Sequence, residues 1–206
     1  MDGVISDTQS ICAKVEADIF KEHGINISPE QLTEQYGGTI SYAMFFAVFQ
    51  QYGKPMPDIE ALSQERWEKI FRATQGNVKA IPGTIGFIKY LKKEGVPIAV
   101  ASASRMDFIK LVLTELHVFS SFNAIVSAQE VSKGKPEPDV FLLAAKRLNV
   151  EPQHCLVIED AVHGMTAAKR AGMKCIGLVR NGPLDANTYP ADRLVRSLQD
   201  ISLDCL

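Results

Sequence analysis

The 206-residue sequence has no cysteine pair at Cys-x-x-Cys spacing; Cys12, Cys155, Cys175 and Cys205 lie far apart. That argues against a zinc cage or a disulfide framework and fits reduced thiols in a cytoplasm. It has no apolar run long enough to cross a bilayer. No basic segment leads into an apolar stretch near its beginning, as a secretory signal requires. Neither charge sign is in excess: 22 Lys and Arg stand against 24 Asp and Glu, a net of −2. So balanced a chain has no general attraction for nucleic acid or an anionic membrane, although local positive charge can still hold a small anion. Internal repeats and low-complexity tracts are also missing. What remains is a globular protein expected in the cytoplasm, with one domain or a core carrying a small insertion.

The pattern changes character part-way along. From Ser10 to about Thr74 it is helical. Ile11, Val15 and Ile19 recur at spacing four before a stop at Gly24, and Ser28-Pro29 reads as a cap followed by the first helical residue. Two further helices are expected over Tyr42–Tyr52 and Ile59–Phe71. After that, short apolar runs at Pro97–Ala101, Ala124–Val126, Cys155–Ile158 and Cys175–Leu178 alternate with helical stretches at Thr84–Lys93, Met106–Leu116, Pro138–Leu148 and Gly164–Ala171. Alternation of this kind predicts an α/β fold, a parallel sheet wrapped by helices.

Four segments carry groups suited to chemistry, and each follows or precedes an expected strand. Asp2-Gly3 reads either as an ordinary turn or as an acid placed for proton transfer. Ser102-Ala103-Ser104 joins a strand to a helix, where a hydroxyl and free backbone N–H groups can cradle phosphate; a plain helix cap by Ser104 is the simpler reading. Arg105 is placed to reach a second anionic group. Lys135 offers a fixed cation, while Lys133 nearby is expected in solvent. Glu159 and Asp160 directly follow an apolar run. Two adjacent carboxylates at a buried strand end repel each other unless a cation is present, and magnesium suits them. Asp7-Thr8 reads as the cap of the first helix. His23, His117, His154 and His163 are scattered and read as surface or core residues.

Together, Asp2-Gly3-Val4, Val100-Ala101-Ser102-Ala103-Ser104-Arg105, Gly134-Lys135-Pro136-Glu137-Pro138-Asp139-Val140-Phe141 and Val157-Ile158-Glu159-Asp160-Ala161-Val162-His163-Gly164 resemble the four signatures of the haloacid dehalogenase-like superfamily. The match is closest to its phosphatase and phosphomutase branch. The resemblance implies a Rossmann-like core from residues 1–9 and 79–206, with an α-helical cap inserted at 10–78. It implies that the first motif is Asp-x-Asp-Gly-Val with Met1 at x, so that the nucleophilic Asp immediately precedes Met1 and the sequence starts late, at an internal Met. Asp2 becomes the general acid and base, with its carbonyl on Mg2+. Ser102 and the Ala103 backbone bind phosphate, and Lys135 neutralises it. Asp160 is a direct metal ligand and Glu159 a supporting one.

The implied activity is a magnesium-dependent phosphatase acting on small phosphorylated metabolites such as sugar phosphates, through an aspartyl-phosphate. No nucleic-acid or membrane partner is expected, and nothing in the pattern sets an oligomeric state. Two alternatives stand beside it: a β-phosphoglucomutase-like phosphotransferase, and a phosphate-ligand-binding pseudoenzyme if the chain is complete as given. The mutase pattern has a His where Cys12 stands, and an Arg after the glycines of Tyr36-Gly37-Gly38-Thr39-Ile40-Ser41 that this sequence does not have. The segment from Gly37 to Tyr42 is expected to select among substrates.

Overall fold

In a computed structural model, which describes residues 1–36 and 41–201, the strands begin only after residue 98. Four helices precede them: α1 (Gln9–Glu22), α2 (Pro29–Tyr36), α3 (Ser41–Gln51) and α4 (Ile59–Thr74). Their ends follow from local chemistry. Asp58 caps α4 by accepting from the N–H groups of Glu60 (2.9 Å) and Ala61 (3.1 Å). Ser28 and Gln31 exchange backbone-to-side-chain bonds at the start of α2. Gly24, at φ +69°, follows the last turn of α1 in the left-handed region that glycine occupies without strain.

The helices pack by their apolar faces, α1 against α2 and α4, and α3 against α4. Phe20 meets Phe45 and Phe49 at ring-centroid distances of 5.5 and 5.8 Å. A buried ion pair joins α1 to α4: the Arg66 guanidinium donates to Glu16 at 2.5 and 2.7 Å, with both side chains about nine-tenths buried. Removing one partner strands the other charge in an apolar surround. Glu16→Ala should therefore lower unfolding free energy by about 3–5 kcal/mol, and an apolar double replacement, Glu16→Leu with Arg66→Met, should recover most of it. Urea titration of the three proteins checks this; equal loss in single and double variants would refute it.

The second half holds α5 (Thr84–Lys93), β1 (Ala99–Ser102), α6 (Met106–Glu115), β2 (Ala124–Ser127), α7 (Asp139–Leu148), β3 (Leu156–Glu159), α8 (Val162–Arg170), β4 (Lys174–Leu178) and β5 (Arg193–Val195). All strand pairs are parallel. The strands form two parallel sheets: β1 with β2, and β3 with β4 and β5 in that order. Val100, Leu156 and Ile158 pack with one apolar cluster, while Ala99, Ala101 and Val157 pack with another. This is the two-faced alternation of strands covered on both sides.

The helical half joins the strand-bearing half through two linkers that lie side by side. Ser6 pairs with Ala80 in an antiparallel bridge; Asp7 N–H donates to Lys79 O (2.9 Å) and Ile81 N–H to Ile5 O (3.0 Å). Above them, Trp67 and Phe71 of α4 each contact the ring of Phe108 of α6 at 5.6 Å.

Candidate active site

The carboxyl ends of β1 and β3 face a common point, and the first residues of the chain lie across it. Met1 O accepts from the N–H groups of Val4, Ile5 and Ser6, at 3.2, 2.7 and 3.2 Å, which folds residues 1–6 into a tight loop. Asp2 is carried on this loop. Its Oδ2 accepts from Ser104 Oγ at 2.9 Å, just past β1, and its Oδ1 from Thr8 Oγ1. Ser6 Oγ lies 2.9 Å from Thr8 Oγ1. Thr8 has one hydroxyl proton and gives it to the acceptor-only carboxylate, so Ser6 donates to Thr8. Asp2 therefore ends a row of hydroxyls.

On the other side, Asp160 rests against Gly3. A Cβ on Gly3 would fall 1.8 Å from Asp160 Oδ2, and Gly3 has φ +75°, so both space and backbone require glycine. Gly164 does the same for Glu159, with a hypothetical Cβ 2.0 Å from Oε1. Glu159 Oε2 accepts from the N–H groups of Asp160 (2.9 Å) and Ala161 (3.2 Å), and Oε1 takes the Lys135 ammonium in a nearly buried ion pair. Lys135 Nζ also donates to Ala101 O at 3.3 Å and lies 4.7 Å over the Phe141 ring. Lys135 thus spans the two sheets, touching β1 through a carbonyl and β3 through a carboxylate.

The two adjacent carboxylates are driven apart electrostatically. Burial disfavours the charge on Glu159, but Lys135 and the Met1 amine more than offset this and hold its carboxyl down, to about 2. Asp160 goes the other way. Burial first, and then the Glu159 charge, push it up to about 7. Among the described residues no three His, Cys, Asp or Glu side chains converge into a ready-made metal cage. Magnesium does not need one, since it is held by one or two carboxylates with carbonyls and waters. A cation beside Asp160 would offset both the burial and the Glu159 charge that raise it, so the donor set fits this ion.

Ser102 is buried, and its Oγ accepts from Ser104 N–H at 3.1 Å; Ala103 is exposed at the turn. The structure thus brings Asp2, Ser102, Lys135, Glu159 and Asp160 to one place. Lys133 is exposed, as expected. Arg105 is ion-paired to Asp107 (2.6 Å), lies 5.6 Å from the Trp67 ring and lines an open cleft of about 860 Å3 between α4 and α6. Cys12 is partly buried, its thiol pushed well above the usual range by burial and then by the Asp2 charge, so it is no ready nucleophile. The substrate-selecting segment expected from Gly37 to Tyr42 falls on residues 37–40, outside those described, and on the start of α3.

Two expectations about caps are corrected. Thr8 holds the N-cap position of α1, but its hydroxyl makes no cap bond and goes to Asp2 instead. Ser104 does not cap α6; Arg105 stands there, and Ser104 also goes to Asp2. A carboxylate is a stronger acceptor partner for a hydroxyl than a backbone N–H is a donor to one, so the acid outcompetes the helix ends.

The model of the haloacid dehalogenase-like hydrolases matches residues 1–178. The chain belongs to that family. It is 36% identical over 175 residues to the putative phosphatase YhcW of Bacillus subtilis, covering 85% of this chain and 79% of that one. It is 29% identical to hexitol phosphatase B of Escherichia coli K12, again over 85% of this chain and 79% of that one. Among solved structures, β-phosphoglucomutase from Clostridium difficile superposes with a TM-score of 0.82 at 25% identity, covering 98% of this chain and 91% of that one. No helix among the described residues is long and apolar enough to cross a membrane.

Proposed function

We propose that this hydrolase is a cytoplasmic, magnesium-dependent phosphatase of small phosphomonoesters such as sugar phosphates. The observation that carries the reading is the meeting of a hydroxyl-bonded acid, a buried lysine and an adjacent carboxylate pair at the ends of two parallel strands. Relatives named as phosphatases, one of them a hexitol phosphatase, favour the same substrate class.

In this reading the nucleophile is an aspartate immediately before Met1. Its carboxylate attacks phosphorus, the ester oxygen leaves, and an aspartyl-phosphate forms. Asp2 gives its proton to the leaving alcohol and then takes one from the water that attacks the intermediate. Ser102 and the Ala103 backbone hold the non-reacting phosphoryl oxygens. Lys135 sets a fixed positive charge beside them. Asp160, the Asp2 carbonyl and, in support, Glu159 would hold magnesium, which would supply further positive charge for the phosphoryl group. Residues 10–78 act as a cap that excludes water and selects the substrate. A β-phosphoglucomutase-like transfer uses the same core, but Cys12 in place of a His speaks for hydrolysis.

A chain extended upstream to include an apolar strand ending in Asp, assayed on sugar and nucleoside phosphates, should lose turnover in a chelator and regain it with magnesium. Asp160→Ala should resemble permanent metal removal. Full turnover in chelator would refute the metal assignment. Stability gives a second readout. The folded-state value of Asp160, about 7, lies above its ordinary 3.8, so its contribution is intact below pH 3.8 and is lost as pH rises to about 7. Metal-free protein should lose on the order of 5 °C in Tm across that window relative to Asp160→Asn, and magnesium should restore it. An unchanged difference would show that Asp160 does not meet the ion.

A further inference from the structure

Arg105 directly follows Ser104, so it leads from the turn that meets Asp2 into the cleft between α4 and α6. Its guanidinium is held in two directions. Nε and Nη2 donate to the two carboxylate oxygens of Asp107, at 3.2 and 2.6 Å, and Cζ lies 5.6 Å from the centre of the Trp67 ring. The two-pronged bond fixes the plane of the group, and Trp67 backs it. Trp67 itself is already in contact with the Arg66 guanidinium at 4.9 Å and the Phe108 ring at 5.6 Å. The Arg105 side chain is still 39% exposed, and it lines the cleft. What it offers there is a rigid, flat, delocalised surface.

The other walls restrict what can lie on that surface. Asp107 neutralises Arg105, and Glu60 and Glu68 line the cleft against one further cation, Arg72. Carboxylates outnumber guanidiniums there, so a second phosphate is repelled. Tyr42 and Phe71 add aromatic rings, that of Tyr42 44% exposed, and Ser63 and Gln64 add hydrogen-bonding groups. The volume of about 860 Å3 is that of a small-molecule site. A flat heteroaromatic ring suits every wall: its face stacks on guanidinium and aromatic groups, and its edge exchanges hydrogen bonds. An aliphatic sugar alone has no face to stack.

We propose that this cleft binds an uncharged heteroaromatic ring of the nucleobase class, carried by the phosphomonoester substrate, with the ring stacked on Arg105 and the phosphate at Ser102 and Lys135. Arg105 then selects by its flat surface and not by its charge. The placing of the phosphate rests on the function proposed above; the ring site does not.

Trp67 is the only tryptophan in the chain, so its fluorescence reports on this cleft directly. The test titrates the 206-residue chain, with magnesium present, with adenosine and with analogues of AMP and ribose 5-phosphate. In both analogues a methylene replaces the ester oxygen, so neither is hydrolysed. Adenosine and the AMP analogue should change the Trp67 emission. By calorimetry the AMP analogue should bind at least about tenfold more tightly than the ribose 5-phosphate analogue. Arg105→Lys keeps the charge and removes the flat surface; it should abolish that preference and leave binding of the ribose 5-phosphate analogue as it was. No preference for the AMP analogue, or a preference that survives Arg105→Lys, would overturn the ring site. So would tighter binding of a ribose 1,5-bisphosphate analogue than of the AMP analogue. Adenosine that binds as tightly as the AMP analogue would keep the ring site and reject the phosphate site of the proposed function.

Discussion

Preceding Met1 with an apolar strand that ends in aspartate should raise phosphomonoester turnover by about 10⁶-fold over the 206-residue chain, the scale on which loss of a covalent nucleophile is felt in hydrolases. The reason lies in the division of labour at the site. Asp2 has both carboxylate oxygens engaged by hydroxyl donors, from Thr8 and Ser104. It cannot attack phosphorus and hold the leaving group's proton in one step. Glu159 is tied to Lys135, and Asp160 lies under Gly3. None of these three carboxylates is left for the attack. The extended protein should also unfold at a higher temperature, because an added strand can pair with the free edges of β1 and β3. Single-turnover assays with radiolabelled substrate, following acid-stable label on the protein, check the covalent step. Strong turnover by the 206-residue chain from a host free of contaminating phosphatase would show that the nucleophile has been misplaced.

Replacing Lys135 with methionine should cut turnover of the extended enzyme by about 10²–10³-fold, the usual effect of removing a charge-stabilising donor. It should also change how stability follows pH. In the 206-residue chain the folded-state value of Glu159, about 2, lies below its ordinary 4.5 chiefly because of Lys135 and then of the Met1 amine, which the extended enzyme does not have. The resulting contribution is present above pH 4.5 and is lost as pH falls toward 2. Without the ammonium, burial prevails and Glu159 prefers its proton. The stability gap between wild type and Lys135→Met should then be about 3–5 kcal/mol at neutral pH and shrink below pH 4. Denaturant titrations at pH 7 and pH 3.5 read the two ends. A gap independent of pH would mean that the lysine acts by packing on Phe141 and not through Glu159.

The sequence was most legible where periodicity was long. The helices were expected to within a few residues, except that α2 was given only its start, because a long apolar stripe leaves little choice. β5 was not expected. It is three residues long, begins with a charge, and owes its strand form to pairing with β4, which no local pattern announces. Nor did the pattern assign each strand its neighbours, since periodicity reports which residues are buried and not which edges meet. At the site, motif residues such as Lys135 and Asp160 stood out by their unusual neighbours. Thr8 and Ser104 did not, because a hydroxyl before a helix reads first as a cap. Only the fold brings Asp2 within reach, and with Ser104 that reach crosses 102 positions of sequence. Ser6, fully buried, was missed for the same reason.

The row from Ser6 through Thr8 to Asp2 has a direction. While Asp2 is ionised, every hydroxyl touching it must point its proton inward, and Ser6 must follow suit. Once the carboxyl gains a proton, either neighbour, Thr8 or Ser104, can also accept, by turning its O–H away from Asp2. Thr8 is the neighbour that stands at the first turn of α1, immediately after the paired linkers. A hydroxyl bound to the acid therefore stands where the helical segment begins.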